Sequence, residues 1–307
     1  MNALRILPVL SGLVLAPLLL GIVNRTKAKF AGRRGQPLLQ VYFDLLKLIR
    51  KGAVYSRTTT WVFRAGPSIG LAALLVVLSL MPLGRGVPSA LHFTGDLFLL
   101  AYCLGLVRFF TVLAAMDTGS AFEGMGASRE VQFSALAEPA LLIAMAALAR
   151  LSGSLSLSDI TGALGVDSWT LAGPALALIA MALSLVFLSE NSRIPVDDPN
   201  THLELTMIHE VMILDHSGPD LAFIEYGAAL KFWILGALIV NVVISGLGGG
   251  LAVSIPAFFA GMFLLSVGVG VVESTMARYR LIKVPRMLWV AVALSVLAFT
   301  LVGRFTA

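Results

Sequence analysis

The sequence predicts an all-α integral membrane protein of about eight transmembrane helices, with a cytoplasmic amphipathic helix and a structured cytoplasmic loop. Of its 307 residues, 58% are hydrophobic and only 13% are charged, and the mean hydropathy is +0.92. A chain of this composition has too little polar surface to fold in water. Its apolar residues also fall into stretches of about 20, the length a helix needs to cross a bilayer core. Runs such as Leu71 to Leu80 do not alternate, which favours helices over a β-barrel.

Eight apolar stretches are the predicted spans. They cover residues 4–23, 65–83, 96–116, 131–150, 170–189, 222–245, 251–273 and 285–303. The first is expected to remain as a helix rather than act as a signal peptide, because its charged residues follow the apolar run and no small-residue cleavage site is evident. We therefore expect one membrane domain over residues 1–307 and no soluble domain.

The positive charges predict the orientation. Residues 24–64 contain ten Lys and Arg residues against a single acid, Asp44, and such an excess is typical of cytoplasmic loops. By alternation, the segments around 117–130, 190–221 and 274–284 are also expected in the cytoplasm. Both termini are then outside, and the membrane is expected to be the cell inner (plasma) membrane. Anionic lipid headgroups explain the net charge of +5, so we expect no nucleic-acid partner.

Two cytoplasmic elements are predicted in these loops. Residues Gln36 to Lys51 carry apolar side chains at helical spacing with basic residues between them, which indicates a helix lying in the membrane interface. In the second segment, Asp198 at an N-cap precedes Pro199 at a first helical position. We expect that helix to run to about Asp215 and to end before Gly218.

Ionisable residues within the spans are the main functional signal, because each costs at least about 2.5 kcal/mol to insert. Those within the spans are Arg108, Glu138, Glu225, Lys231 and Glu273, and those near span ends are Asp117, Glu130 and Glu190. One interpretation is a hydrated chain of titratable groups that carries protons. The other is local pairing, for example of Arg108 with Glu138. We favour function for Glu138 and Glu225, and local pairing for Glu273.

The densest charged segment follows the fifth span. Its charged residues are Glu190, Arg193, Asp197, Asp198, His202 and Glu204, with Glu210 shortly after. A polar junction between a partner's chemistry and the intramembrane acids is one hypothesis, and a solvated loop is the alternative.

Metal and catalytic sites are not expected in this chain. His202, His209 and His216 recur every seven residues, but zinc proteases need two histidines four residues apart, and Ile213 stands four residues after His209. The single cysteine, Cys103, excludes disulfides, Fe–S ligation and cysteine zinc sites within the chain. Since no phosphate loop or nucleophile arrangement is visible, we expect no active site or redox centre here.

Three motifs carry a resemblance to a known family. The first is Arg33-Arg34-Gly35-Gln36-Pro37 with Gln40, Asp44 and Lys47 after it; the second runs from Asp117 to Glu130; the third is Arg193-x-Pro195-x-Asp197-x-Pro199 with Glu204. Through them the chain resembles subunit 1 of respiratory complex I, which in bacteria is the H subunit. The second motif is similar to the hydrogenase branch in particular, which includes formate hydrogenlyase subunit 4 and hydrogenase-4 component C.

The departures from the complex I pattern concern acids. Asn200 and His202 stand where the complex I signature has two further acids, and Asp215-His216-Ser217-Gly218 replaces a Glu-Tyr-Ser-Gly element. In complex I that segment lines the quinone chamber. Its loss of acids favours a complex whose electron acceptor is protons.

The resemblance implies a cofactor-free membrane-anchor subunit of a [NiFe]-hydrogenase complex. Its partners would be a [NiFe]-hydrogenase-type large subunit, small Fe–S subunits and an antiporter-like membrane subunit, with the Fe–S clusters and the [NiFe] centre held by those partners. The implied docking residues for the soluble arm are Arg33, Arg34, Gln40, Asp44, Lys47 and Arg129. The implied proton path comprises Arg108, Asp117, Glu130, Glu138, Glu190, Arg193, Asp197, Asp198, His202, Glu204, Glu210, Glu225 and Lys231.

Three alternatives remain open from the sequence. The chain could be the quinone-reactive H subunit of an NADH dehydrogenase (complex I), a stand-alone ion transporter, or a purely structural anchor whose acids pair locally. Transporters commonly contain inverted repeats with broken helices, and no repeat is visible in this sequence.

Overall fold

The computed structural model of the chain describes residues 3–197 and 207–305, and within these ranges the regular structure is helical, without strands. Eleven α-helices lie in this part of the chain. They are α1 (Leu7–Phe30), α2 (Gln40–Ile49), α3 (Trp61–Leu80), α4 (Asp96–Asp117), α5 (Ala121–Ser152), α6 (Leu157–Ala163), α7 (Val166–Glu190), α8 (His209–Met212), α9 (Gly218–Ile244), α10 (Leu251–Thr275) and α11 (Val284–Phe305).

Eight of these helices, all except α2, α6 and α8, are long and apolar enough to cross a membrane, which confirms the predicted all-α membrane fold. Successive passes bring α2, α8 and the ends of the spans next to them to one end of the bundle. We call this the basic end, because it carries the ten Lys and Arg residues between positions 24 and 64.

Helix α9 lies at the centre of the bundle. In its most apolar stretch 78% of the residues are buried, against 28–50% for the other spans. It packs against α1, α3, α7 and α10, while α11 packs against α5 and α7. Residues of α9 are therefore placed to meet side chains from several other spans.

The predicted boundary between the third and fourth spans is wrong. Instead of a loop over residues 117–130, only residues 118–120 separate α4 from α5, and α5 runs for 32 residues. Its first turns pack against α8 so closely that a Cβ added to Gly126 would clash with the side chain of Val211. Glu123 and Ala127 are buried in the same contact. Glu123 is thus covered by the protein, whereas Ser128 in the same segment stays exposed.

The predicted helix from Asp198 to about Asp215 is also wrong in its described part. Met207 and Ile208 are not helical, and α8 spans only four residues. The Asp197 carboxylate accepts hydrogen bonds from the backbone N–H groups of Ile208 (3.0 Å) and His209 (3.3 Å), and so holds the start of this turn in place. The predicted start of the helix, residues 198–206, lies outside the described residues.

The amphipathic helix is confirmed, with closer limits than the predicted Gln36 to Lys51. In α2 only Leu45 is fully buried, whereas Phe43, Leu46 and Ile49 are more than half exposed. Asp44 and Lys47 occupy another side of the helix and are also exposed. Since α2 lies beside α1 and α9, its exposed apolar side chains suit a position in the membrane interface.

Candidate functional site

A group of five charged side chains, the Arg108 cluster, joins four spans. The Arg108 guanidinium on α4 pairs with Glu130 of α5 (3.3 Å), with Glu138 of α5, and with Glu190 at the end of α7. Glu190 also pairs with Lys231 of α9, at 2.8 Å. The helical rise of about 1.5 Å per residue places Arg108 about 13 Å from the end of α4, within a candidate membrane span, whereas Glu190 is the last residue of α7.

The cluster is not neutral when every member is ionised. Three carboxylates (Glu130, Glu138 and Glu190) face two bases (Arg108 and Lys231), which leaves one negative charge in excess. An uncompensated charge at this depth is costly, so such a cluster favours binding of one further proton or cation. One further positive charge would make the cluster neutral.

Burial differs strongly within the cluster. The side chains of Arg108 and Glu190 are 9% and 7% exposed, whereas that of Glu138 is 48% exposed. Glu138 lies on a helical stripe of exposed residues with Val131, Ala135 and Leu142. It therefore connects the buried part of the cluster to the lateral surface of the bundle.

Two cavities flank the buried carboxylates. The larger, of about 100 Å³, is lined by apolar residues of α3, α4 and α9 and by charged or polar side chains. The latter include Arg108, Glu130, Glu190, Arg193, His209, His216 and Lys231. The smaller, of about 10 Å³, is lined by Glu130 and Glu190 together with Ser189 and Ser192. Glu130 and Glu190 are thus placed between two cavities, each of which has polar side chains in its lining.

A second charged group, the Glu273 cluster, lies nearer the basic end. The Glu273 carboxylate on α10 is fully buried and forms ion pairs with Lys27 of α1 (2.8 Å) and Arg193 (3.3 Å). The Arg193 guanidinium also lies over the Phe232 ring, 5.5 Å from its centre. The expected local pairing of Glu273 is confirmed, and one of its partners belongs to the family motif.

Asp197 holds the connection between α7 and α8. Its carboxylate is buried, accepts the two backbone hydrogen bonds described above, and forms a 2.7 Å ion pair with Arg278. The carboxylate thus has both an ionic partner and hydrogen-bond donors from the backbone. In this position Asp197 anchors the backbone as well as contributing charge.

His209 and Glu210 on α8 have shifted proton affinities in opposite directions. Burial lowers the pKa of His209 to about 4, with the charge of Lys231 adding to the effect and Asp197 and Glu190 opposing it. Burial raises the pKa of Glu210 to about 7, with the charges of Glu225 and Asp197 adding to the effect. His209 is therefore neutral near pH 7, and Glu210 changes protonation there.

Glu225 lies in the second turn of α9. It is half-buried on α9, within electrostatic reach of Arg193 and Asp44. Its charge also acts on Glu210 of α8. Glu225 therefore interacts electrostatically with both α8 and the exposed α2 helix. Four predicted path residues, Arg193, Asp197, Glu210 and Glu225, are thus neighbours at the basic end.

Other predicted site residues lie apart from these groups. Asp117 accepts hydrogen bonds from the backbone N–H (2.7 Å) and the hydroxyl (2.9 Å) of Thr60, and does not join the Arg108 cluster. Arg129 donates to the Met207 carbonyl at 2.8 Å. The predicted docking residues Arg33, Arg34, Asp44 and Lys47 are exposed at the basic end and Gln40 is half-exposed. Asp198, His202 and Glu204 lie outside the described residues.

Sequence reasoning missed two bases of the site. Lys27 and Arg278 were interpreted only as signals of orientation, yet they pair with the buried carboxylates of Glu273 and Asp197. An in-span or buried acid requires a partner, but nothing in the sequence says which of the many basic residues supplies it. His216, at the third position of the seven-residue histidine pattern, stacks on the Phe63 ring with centroids 3.9 Å apart.

Known proteins are similar in sequence to this chain over most of its length. Formate hydrogenlyase subunit 4 of Escherichia coli (strain K12) is 31% identical over 302 residues, which cover 95% of this chain and 96% of that protein. Hydrogenase-4 component C of the same organism is 31% identical over 294 residues, 94% of this chain and 91% of that protein. The H subunit of NADH-quinone oxidoreductase from Anaplasma phagocytophilum (strain HZ) is 27% identical over 277 residues, 82% and 78% of the two chains.

A solved structure shares the fold. A chain in the structure of the membrane-bound sulfane sulfur reductase (MBS), an archaeal respiratory membrane complex, superposes with a TM-score of 0.80 at 21% identity, covering 96% of this chain and 98% of that one. The family model described as NADH dehydrogenase matches residues 3–303. The resemblance inferred from the three motifs is therefore confirmed, and the chain belongs to the NADH dehydrogenase family.

Proposed function

We propose that this chain is the membrane-anchor subunit of a membrane-bound [NiFe]-hydrogenase complex of the formate-hydrogenlyase type. It docks the soluble redox arm at the basic end and contributes to a proton or ion path towards an adjoining antiporter-like subunit. In this arrangement the basic end faces the cytoplasm and both termini lie outside, in the inner (plasma) membrane. Redox cofactors, the Fe–S clusters and the [NiFe] centre, belong to the partner subunits.

The assignment to a hydrogenase complex rests on the relatives. The two proteins at 31% identity are named as parts of formate hydrogenlyase and of hydrogenase-4, and each matches along more than nine-tenths of both chains. The relative named for NADH-quinone oxidoreductase is less similar and matches less of the chain. The replaced acids at Asn200 and His202 support the same choice.

The role in ion transfer rests on one observation above the others, the position of Glu138. This carboxylate belongs to a cluster with excess negative charge, lies at membrane depth and is about half exposed on the lateral surface. A charged side chain facing lipid there would be very unfavourable. We therefore infer that a neighbouring membrane subunit covers the stripe of Val131, Ala135, Glu138 and Leu142, and that ions pass sideways at this point.

Docking of the soluble arm is proposed for the exposed polar groups of the basic end. Arg34, Asp44 and Lys47 are exposed there. Asp44 lies within electrostatic reach of Glu225, and Glu225 within reach of Glu210. The protonation of these two acids could respond to charge in the arm. The pKa of Glu210, raised to about 7 by burial and by neighbouring acids, suits a group that exchanges protons under physiological conditions.

Purification of the complex tests the assignment. The full chain, tagged and produced in its native membrane, is isolated anaerobically in mild detergent, and its partners, metal content and activities are measured. We expect a nickel-containing large subunit, Fe–S proteins and hydrogen evolution from a reduced viologen dye. A nickel-free complex that reduces quinone would contradict the proposal, as would a chain that purifies alone and transports ions.

A second candidate, a quinone-reactive subunit, is favoured by one observation. The larger cavity combines apolar walls from α3, α4 and α9 with a charged part at Arg108, Glu190 and Lys231, an arrangement suited to an amphipathic ligand. Gly70→Leu would fill this cavity, since only Val107 lies near a Cβ built at Gly70. If quinone reduction is the activity, this variant should lose it while Gly105→Leu keeps it; a hydrogen-evolving complex should show no quinone-dependent turnover in either variant.

A further inference from the structure

A groove lies at the basic end where α1 and α10 end side by side. It has a volume of about 530 Å³ and is bordered by Lys27, Phe30 and Arg33 on one side and by Glu273 and Ser274 on the other. None of these residues lines the cavity at the Arg108 cluster. The groove is thus a separate feature of the surface, formed by the ends of two membrane spans.

The groove is positively charged. Its one acid, Glu273, is fully buried and is held by two bases, Lys27 and Arg193. The Lys27 side chain remains 23% exposed, so part of its ammonium group faces the groove. Arg33 is exposed and forms no ion pair within the described part of the chain. An anion entering the groove therefore meets two cations and no accessible carboxylate.

Apolar surface continues from the groove along the spans. Phe30, the last residue of α1, is 57% exposed. On α10, Phe263 and Leu264 are 51% and 66% exposed, and they lie about 15 Å along the helix from Ser274. A ligand with a negative head in the groove could lay an apolar chain over this surface within one leaflet of the bilayer.

We propose that the groove binds an anionic phospholipid. Its phosphate contacts the Arg33 guanidinium and the exposed part of the Lys27 ammonium, and its acyl chains lie against Phe30 and the exposed side of α10. Arg binds phosphate through paired N–H donors, and basic pockets between spans at the cytoplasmic surface suit anionic headgroups. This assigns Arg33 to lipid binding and leaves Arg34 to the docking surface.

Lipid titration of the full chain tests the proposal. The protein, delipidated in a neutral detergent, is titrated with phosphatidylglycerol, with phosphatidylcholine or with inorganic phosphate, and the thermal unfolding midpoint is followed. Phosphatidylglycerol should raise the midpoint in a saturable manner, and the other two should not. Because the loss of one charge-assisted contact costs roughly 1.5 kcal/mol, Arg33→Gln should weaken apparent phosphatidylglycerol binding about tenfold.

Arg34→Gln is the matched control, since it removes the same charge from the adjacent exposed position, which does not line the groove. It should bind phosphatidylglycerol like the unsubstituted chain. Equal weakening by both substitutions would mean diffuse attraction to a basic surface, and an effect of inorganic phosphate alone would mean a simple anion site. Either result would overturn the proposal, as would loss of the soluble arm in Arg33→Gln with lipid binding unchanged.

Discussion

Replacement of Arg108 by methionine should destabilise the protein more than any other single loss of a base in the bundle. Arg108 is the ion-pair partner of three carboxylates, and Glu130 and Glu138 form no other ion pair in the described part of the chain. In Arg108→Met the remaining base of the cluster, Lys231, still pairs with Glu190, while Glu130 and Glu138 lose their ion-pair partner. Removing one partner of a buried ion pair typically costs about 3–5 kcal/mol. The exposure of Glu138 reduces its share, so the cost arises mainly from Glu130 and Glu190.

The thermal unfolding midpoint of the purified chain in detergent measures this effect. A cost of this size corresponds to a drop of roughly 10 °C for a chain of a few hundred residues. Arg150→Met is the control, because Arg150 lies exposed in the last turn of α5, with its guanidinium 5.4 Å from the Phe299 ring centre. It should lower the midpoint by no more than about 2 °C, as expected for a surface substitution.

A double substitution tests the energetic coupling between Arg108 and Glu130. Glu130→Gln removes one of the two carboxylates that Arg108→Met leaves without a base. The double variant should therefore be more stable than the sum of the two single effects, with a coupling of about 1–3 kcal/mol. The explanation fails if Arg108→Met behaves like Arg150→Met, or if the two effects simply add.

Three further predictions concern the basic end. Folding raises the pKa of Glu210 from its ordinary 4.5 to about 7, and such an acid makes stability fall as the pH rises through that interval. Glu210→Gln should therefore lose less thermal stability than the unsubstituted chain between pH 5.5 and 8. Identical pH dependence of the two proteins would count against the shift. Asp197→Asn breaks a buried ion pair and should lower the free energy of unfolding by about 3 kcal/mol. The backbone amides that follow Met207 should also exchange hydrogen faster. Unchanged exchange of these amides would argue against the anchoring role of Asp197. Gly218 has φ +56°, and a Cβ there would lie 2.6 Å from the Gly52 carbonyl oxygen. Gly218→Ala should therefore lower the free energy of unfolding by at least about 1–2 kcal/mol. In the same unfolding assay Gly105→Ala should be close to neutral, because the space around Gly105 is open.

Hydropathy predicted the number of spans because each must carry about 20 apolar residues, and that requirement is visible in sequence. Hydropathy did not predict the boundaries of the spans at the basic end of the bundle. Helix α5 begins at Ala121, ten residues before the expected position 131. Of the polar residues that suggested a loop there, Glu123 is buried and Glu130 is paired with Arg108. Tertiary contacts of this kind allow polar residues to lie within a helix, and a hydropathy profile does not detect such contacts.

The candidate site was predicted as a set of residues and not as an arrangement. The cost of intramembrane charge identified Arg108, Glu138 and Lys231, and the pairing of Arg108 with Glu138 was considered. The joining of Glu190 to both bases depends on how α4, α5, α7 and α9 pack, which the sequence does not encode locally. For the same reason Asp117, in a matching motif, could not be distinguished from the cluster members, although it binds Thr60.

Proton translocation by the Glu138→Gln complex, reconstituted in vesicles and driven by hydrogen evolution, tests the central claim most directly. The substitution keeps the size of the side chain and removes the laterally exposed charge of the Arg108 cluster. Hydrogen evolution should continue within about twofold while the proton or sodium gradient is lost, and Asp159→Asn, an exposed acid paired with His92 at the opposite end, should leave both unchanged. An undiminished gradient in Glu138→Gln would contradict the proposed ion path.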